Sequence, residues 1–67
     1  MSPEFSLIIP TYNRIDALRH CLSYLEQLRY PRSAFEVILI DDGSHDATAQ
    51  LDDSAASFCL RVIHKSN

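Results

Sequence analysis

Two short polar segments carry the residue types in this chain that could do chemistry. One is Pro10-Thr11-Tyr12-Asn13-Arg14, with an aromatic ring and a guanidinium; the other is Asp41-Asp42-Gly43-Ser44, with paired carboxylates and the chain's single glycine. Each follows a β-branched apolar run, Phe5-Ser6-Leu7-Ile8-Ile9 and Phe35-Glu36-Val37-Ile38-Leu39-Ile40, and each precedes a helix-like pattern. If the two runs are adjacent parallel strands, both polar segments emerge at the same carboxyl edge, where open α/β sheets bind ligands. A ring, an arginine and a carboxylate pair meeting there suit a nucleotide, the ring serving the base and a carboxylate serving a ring N–H.

The first strand is expected near residues 5–9, ending at Pro10, which has no amide proton for a ladder. Asn13 reads as the N-cap of the helix that follows, with Asp16 as a shortened capping-box partner. The apolar stripe Ile15, Leu18, Cys21, Leu22, Leu25 and Leu28 has helical spacing and predicts a helix near 14–28, closed by Tyr30-Pro31. Val37-Ile38-Leu39-Ile40 is four consecutive aliphatics, the mark of a strand buried on both faces, here near 36–41. Gly43 suits a turn with positive φ or the close approach of a ligand. A weaker pattern, with Asp46 as N-cap and then Ala47, Ala49, Leu51, Ala55 and Ala56, predicts a second helix near 46–56, before a third strand near 59–63.

The order β-α-β-α-β with right-handed crossovers implies an α/β fold, a parallel three-stranded sheet in the order 3-2-1 with both helices on one face. That is half of a doubly wound, Rossmann-like domain.

Composition narrows the function classes. Sixty-seven residues at 46% hydrophobic and 22% charged make one small globular domain, one that buries only about 60% of its unfolded surface. A net charge of −3 and a pI near 5.4 give no footprint for nucleic acid; Lys65 and the arginines read as a scattered, solvated surface. Met1-Ser2-Pro3-Glu4 shows no signal peptide and no stretch is long enough to span a membrane, so a cytoplasmic location is expected. Cys21 and Cys59 read as reduced core residues. His20, His45 and His64 read as a polar helix position, a variable turn slot and a strand end, and Asp52-Asp53 as a solvated helical face rather than a metal pair.

Four readings compete for the acidic turn. A plain turn with a capping aspartate needs no ligand. A dinucleotide-binding Rossmann site needs G-x-G-x-x-G after the first strand, and residues 10–14 contain no glycine. A phospho-acceptor receiver domain has its acidic pair after the first strand, whereas here it follows the second. A nucleotide-sugar site uses an aromatic after the first strand and an acid after the second, matching both signals.

Ile8-Ile9-Pro10-Thr11-Tyr12-Asn13-Arg14, joined to Asp41-Asp42-Gly43-Ser44-x-Asp46-x-Thr48, resembles the start of a family 2 glycosyltransferase of the GT-A fold, and the resemblance runs from about Phe5 to Lys65. It implies that Pro10, Thr11 and Tyr12 hold the nucleobase and that Arg14 lies near the base or diphosphate, a solvated helix-start arginine being the alternative. It implies that Asp41 accepts a hydrogen bond from uracil or thymine N3–H, which an acceptor-only carboxylate does well. Asp42 and Ser44 would approach the ribose or support the turn. Members of the family are several times longer. Their D-x-D metal pair and general base come after the region matched here, so residues 1–67 are expected to be an N-terminal nucleotide-binding part, truncated at its C-terminal end. The divalent metal, Mn or Mg, is expected in the full-length enzyme and not on this chain. The donor would be a UDP-sugar, and the chain would not be catalytic alone. Two other classes remain open: a freestanding nucleotide-binding module, and a small α/β interaction domain. An uncovered sheet face would in each case favour self-association or packing against the remainder of the enzyme.

Overall fold

The structure is a computed structural model that describes residues 4–28 and 31–66, with Arg32 described for its backbone only. Tyr30, expected to close the helix, lies outside the described residues, as do Met1-Ser2-Pro3 and Asn67. Among the described residues the elements run β1 (Phe5–Thr11), α1 (Ile15–Glu26), β2 (Phe35–Asp42) and β3 (Cys59–Lys65), with single 3-10 turns at Arg32–Ala34, Ala47–Gln50 and Asp53–Ala55.

The three strands are parallel in the order β1-β2-β3, which is 3-2-1 read from the other edge. β1 runs through Pro10 to Thr11, two residues past the expected stop. It is an edge strand, where a missing N–H is tolerated.

Successive strand residues project to opposite faces. On β2 the odd positions Phe35, Val37, Leu39 and Asp41 are buried, while Glu36, Ile38 and Ile40 are half-buried and Asp42 is exposed. In register with the buried set lie Leu7, Ile9 and Thr11 of β1 and Leu60, Val62 and His64 of β3. Leu18, Leu22 and Leu25 of α1 join that face to form the core, with Phe58 closing one end against Phe35 at a ring separation of 5.7 Å. The opposite face carries Ile8, Pro10, Ile38, Ile40 and Ile63, and Ile8 is 62% exposed.

Three expectations are corrected. The second helix is absent: residues 47–56 form two isolated 3-10 turns with extended backbone at Leu51 and Asp52 between them. Asp52 takes the Ser54 N–H at 2.9 Å, and such short polar side chains compete with helical hydrogen bonding. Leu51, half-buried against the core, is the segment's one large apolar residue. Cys21 and Cys59 are free but exposed, on the outer side of α1 and on the uncovered sheet face. β2 is buried on one face only, because α1 and the 3-10 segment lie on the same side of the sheet.

Candidate functional site

The carboxyl ends of β1 and β2 are in register, Thr11 opposite Asp41, so the two post-strand loops rise side by side. Hydrogen bonds knit them together. Asn13 N–H donates to Ser44 Oγ at 2.8 Å, His45 N–H to Asn13 Oδ1 at 2.7 Å, and Ile15 N–H to Asp46 Oδ2 at 3.1 Å. The cap of α1 thus comes from a residue 31 positions downstream, and not from Asn13. Arg14 occupies the cap position with no side-chain cap of its own, while Asn13 adopts φ of 49°, a left-handed conformation that asparagine tolerates well. Asp46 also caps its own 3-10 turn, accepting Thr48 N–H at 2.9 Å, as expected of it. Gly43, at φ of 79°, makes the turn its type suggested.

Beside these loops, at the carboxyl edge and on the uncovered side of the sheet, is a cleft of about 330 Å³. It is lined by Pro10, Thr11, Tyr12, Arg14, Ile40, Asp42 and Lys65. Tyr12 is 43% exposed, leaving ring surface available for stacking. Asp42 and Lys65 face each other in register on β2 and β3. The walls combine apolar Ile40 and Pro10, one aromatic ring, one carboxylate and two cations, a composition suited to a flat heterocycle attached to an anion.

Five of the expected site residues, Pro10, Thr11, Tyr12, Arg14 and Asp42, therefore line one cleft. Asp41 and Ser44 do not. Asp41 is 1% exposed, on the covered side of the sheet. Its Oδ1 accepts Ser44 N–H at 3.0 Å and its Oδ2 accepts His64 Nδ1–H at 2.8 Å. Burial alone would raise the Asp41 carboxyl; the hydrogen bonds from Ser44 and His64 outweigh it and hold the group below the ordinary carboxylate range. Ser44 is buried too, its hydroxyl engaged with Asp41 and Asn13.

Sequence reasoning missed Lys65, His64 and Asn13. His64 Nε2 donates to Leu51 O at 2.9 Å, because a carbonyl oxygen can only accept, and an ionised Asp41 likewise can only accept from Nδ1. Only a protonated ring serves both acceptors at once, and the Leu51 carbonyl, then Asp41, raise the His64 pKa above its ordinary value. Strand alternation counted on from Val37 and Leu39 would have separated Asp41 from Asp42, and the same count on β3 separates His64 from Lys65.

Among the described residues no group of three or more His, Cys, Asp or Glu side chains is placed to hold a metal ion. No helix among them is long and apolar enough to cross a membrane.

The profile of the family described as "Glycosyl transferase family 2" matches residues 6–67. The chain belongs to that family. Its relatives include a glycosyltransferase, AglE, of Haloferax volcanii, 39% identical over 73% of this chain and 16% of the relative. An undecaprenyl-phosphate 4-deoxy-4-formamido-L-arabinose transferase of Pseudomonas fluorescens is 46% identical over 78% of the chain and 16% of the relative. The human dolichyl-phosphate beta-glucosyltransferase is 41% identical over 87% of the chain and 19% of the relative. The family 2 chain thus spans less than a fifth of the length of each of these curated relatives. No solved structure matches it. Within the family 2 frame, the half-sheet with its β1–α1–β2 unit is the Rossmann-like portion of a GT-A fold.

Proposed function

We propose that this chain binds the nucleotide part of a nucleotide-sugar donor, a UDP-sugar, for glycosyl transfer. The reading is carried by the convergence of Tyr12, Asp42, Arg14 and Lys65 on one cleft at the carboxyl edge of the sheet. In it, the Tyr12 ring stacks on the base, Thr11 and Pro10 shape the slot, and Arg14 and Lys65 attract the diphosphate. The base N3–H goes to Asp42, which takes over the role first expected of Asp41, since the Asp41 carboxylate is occupied inside the protein. A carboxylate receiving an N–H from a neutral base makes the stronger, charge-assisted kind of hydrogen bond.

Residues 1–67 are, in this proposal, the N-terminal nucleotide-binding part of a longer GT-A domain working in the cytoplasm. The chain contributes recognition; the divalent metal and the base that activates the acceptor belong to parts of the enzyme beyond the matched region. The sugars and acceptors named for the relatives differ from one to the next, and what they share is glycosyl transfer.

Calorimetric titration with UDP, with and without Mn²⁺, tests the reading. Saturable binding insensitive to the metal is the expected result. No binding at millimolar UDP would overturn it and favour the interaction-domain alternative, which the exposed Ile8 and Ile63 of the uncovered face support.

A further inference from the structure

Among the described residues Asp41 is the most deeply buried ionisable side chain, and its contacts form one continuous line across the top of the sheet. Starting from Leu51 O, the line passes to His64 Nε2 at 2.9 Å and from His64 Nδ1 to Asp41 Oδ2 at 2.8 Å. It leaves Asp41 through Oδ1, which takes Ser44 N–H at 3.0 Å, and through a bond to the Ser44 hydroxyl. Ser44 Oγ takes Asn13 N–H at 2.8 Å, and Asn13 holds its left-handed φ of 49° between Tyr12 and Arg14, both of which line the cleft.

We propose that Asp41 is a positioning residue: through Ser44 it fixes the Asn13 conformation that aims Tyr12 and Arg14 into the cleft, and His64 is the proton-sensitive end of the same line. The coupling is a property of the folded chain; its consequence for nucleotide affinity rests on the reading given under Proposed function.

The Leu51 carbonyl and Asp41 favour the charged form of His64 and outweigh the opposing effect of its partial burial. Asp41 faces it from β2. From the segment after Leu51, Asp52 and Asp53 line the same shallow hollow, their carboxylates already accepting Ser54 N–H at 2.9 Å and Val62 N–H at 2.8 Å. Among the described residues no lysine or arginine lines that hollow, and Lys65, the next residue of β3, belongs to the cleft on the other face. With two protonated nitrogens, His64 satisfies Leu51 and Asp41 together. A neutral ring keeps one N–H and must release one of them. If it keeps Leu51, the Nδ1 lone pair faces Asp41 Oδ2 and the carboxylate is pushed from the place where it orients Ser44. If it keeps Asp41, the Leu51 segment comes free and the remaining bond loses its charge assistance.

The test is a pH titration of the 67-residue chain from about pH 5 to pH 9 by NMR, following the His64 imidazole and the Asn13 and Ser44 amides, first without ligand and then with UDP. The Asn13 amide is expected to move with the His64 midpoint, and S44A to abolish that movement while His64 still titrates. H64Q, which cannot titrate, is expected to flatten the Asn13 response. UDP affinity is expected to fall roughly two- to tenfold as His64 deprotonates, the range for one weakened hydrogen bond. The H64Q chain serves as the control for the diphosphate's own titration. An Asn13 amide that stays flat through the His64 midpoint, or that still follows it in S44A, would overturn the coupling. UDP affinity with the same pH dependence in wild type and H64Q would overturn the positioning role. An Asn13 amide that follows His64 in a chain that binds no UDP would uphold the coupling and defeat the nucleotide reading alone.

Discussion

Asp41 and Asp42 are neighbours in sequence and lie on opposite sides of the sheet. Asp41 points into the covered side, bonded to Ser44 and His64; Asp42 is exposed at the cleft opposite Lys65. One carboxylate of the pair holds structure and the other is available to a ligand. The strand period of two makes this division unavoidable wherever β2 continues through both residues.

Substitution of the exposed member should therefore act on binding with little effect on folding. Asp42→Asn is expected to weaken UDP about tenfold, the scale of one lost charge-assisted hydrogen bond at a partly solvated site, with an unchanged melting temperature. Asp52→Asn, outside the cleft, should leave affinity alone. Equal losses for the two variants in calorimetry would return Asp42 to the role of a turn residue.

Stability should depend on pH in a way set by buried Asp41 and its exposed partner His64. The Asp41 carboxyl is lowered from 3.8, so its contribution is complete above that value and is lost as pH falls through the lower, folded-state pKa. His64 is raised from 6.5, so its contribution is complete below that value and is lost as pH rises through the higher, folded-state pKa. The pair is fully stabilising between these two unfolded-state values. Circular dichroism melts from pH 3 to pH 9 should show a plateau there, and His64→Gln should remove the alkaline decline. A variant as pH-sensitive as the wild type on that limb would refute the assignment to His64.

Asp46 caps α1 and the Ala47–Gln50 turn at once. Asp46→Ala is expected to cost about 1–2 kcal/mol in urea denaturation, at the upper end for a lost cap. Asp52→Ala, which removes one exposed cap, should cost less. The reverse order would show that the link between the loops adds nothing.

The uncovered sheet face should promote self-association. Ile8 and Ile63 are exposed there beside half-buried Ile38 and Ile40. Sedimentation of the 67-residue chain is expected to show concentration-dependent association that Ile8→Lys reduces. A monomer at millimolar concentration would disprove it.

The strands and α1 were legible because their apolar spacing is unambiguous: Leu18, Leu22 and Leu25 are buried where a 3.6-residue period puts them. Residues 47–56 misled because alanine favours helix on average, whereas here Asp46 and Asp52 draw the backbone into separate capped turns. The cleft was half legible. Tyr12 and Arg14 follow a strand end directly, but Lys65 joins them only through the β2–β3 register, which no local pattern announces. Asn13 was legible as a special position and misread in its purpose, because its side chain serves the other loop through His45.

The downstream origin of the α1 cap bears on the order of folding. Ile15 N–H finds its acceptor in Asp46 only once β1 and β2 have paired and brought their carboxyl ends together. The first turn of α1 is then completed late, after the chain has closed a loop of roughly 30 residues, a closure whose entropic cost grows only slowly with length. A kinetic φ-value near zero for Asp46→Ala, beside higher values for Leu22→Ala and Val37→Ala, is the corresponding expectation. Helix and sheet would in that case condense as one unit.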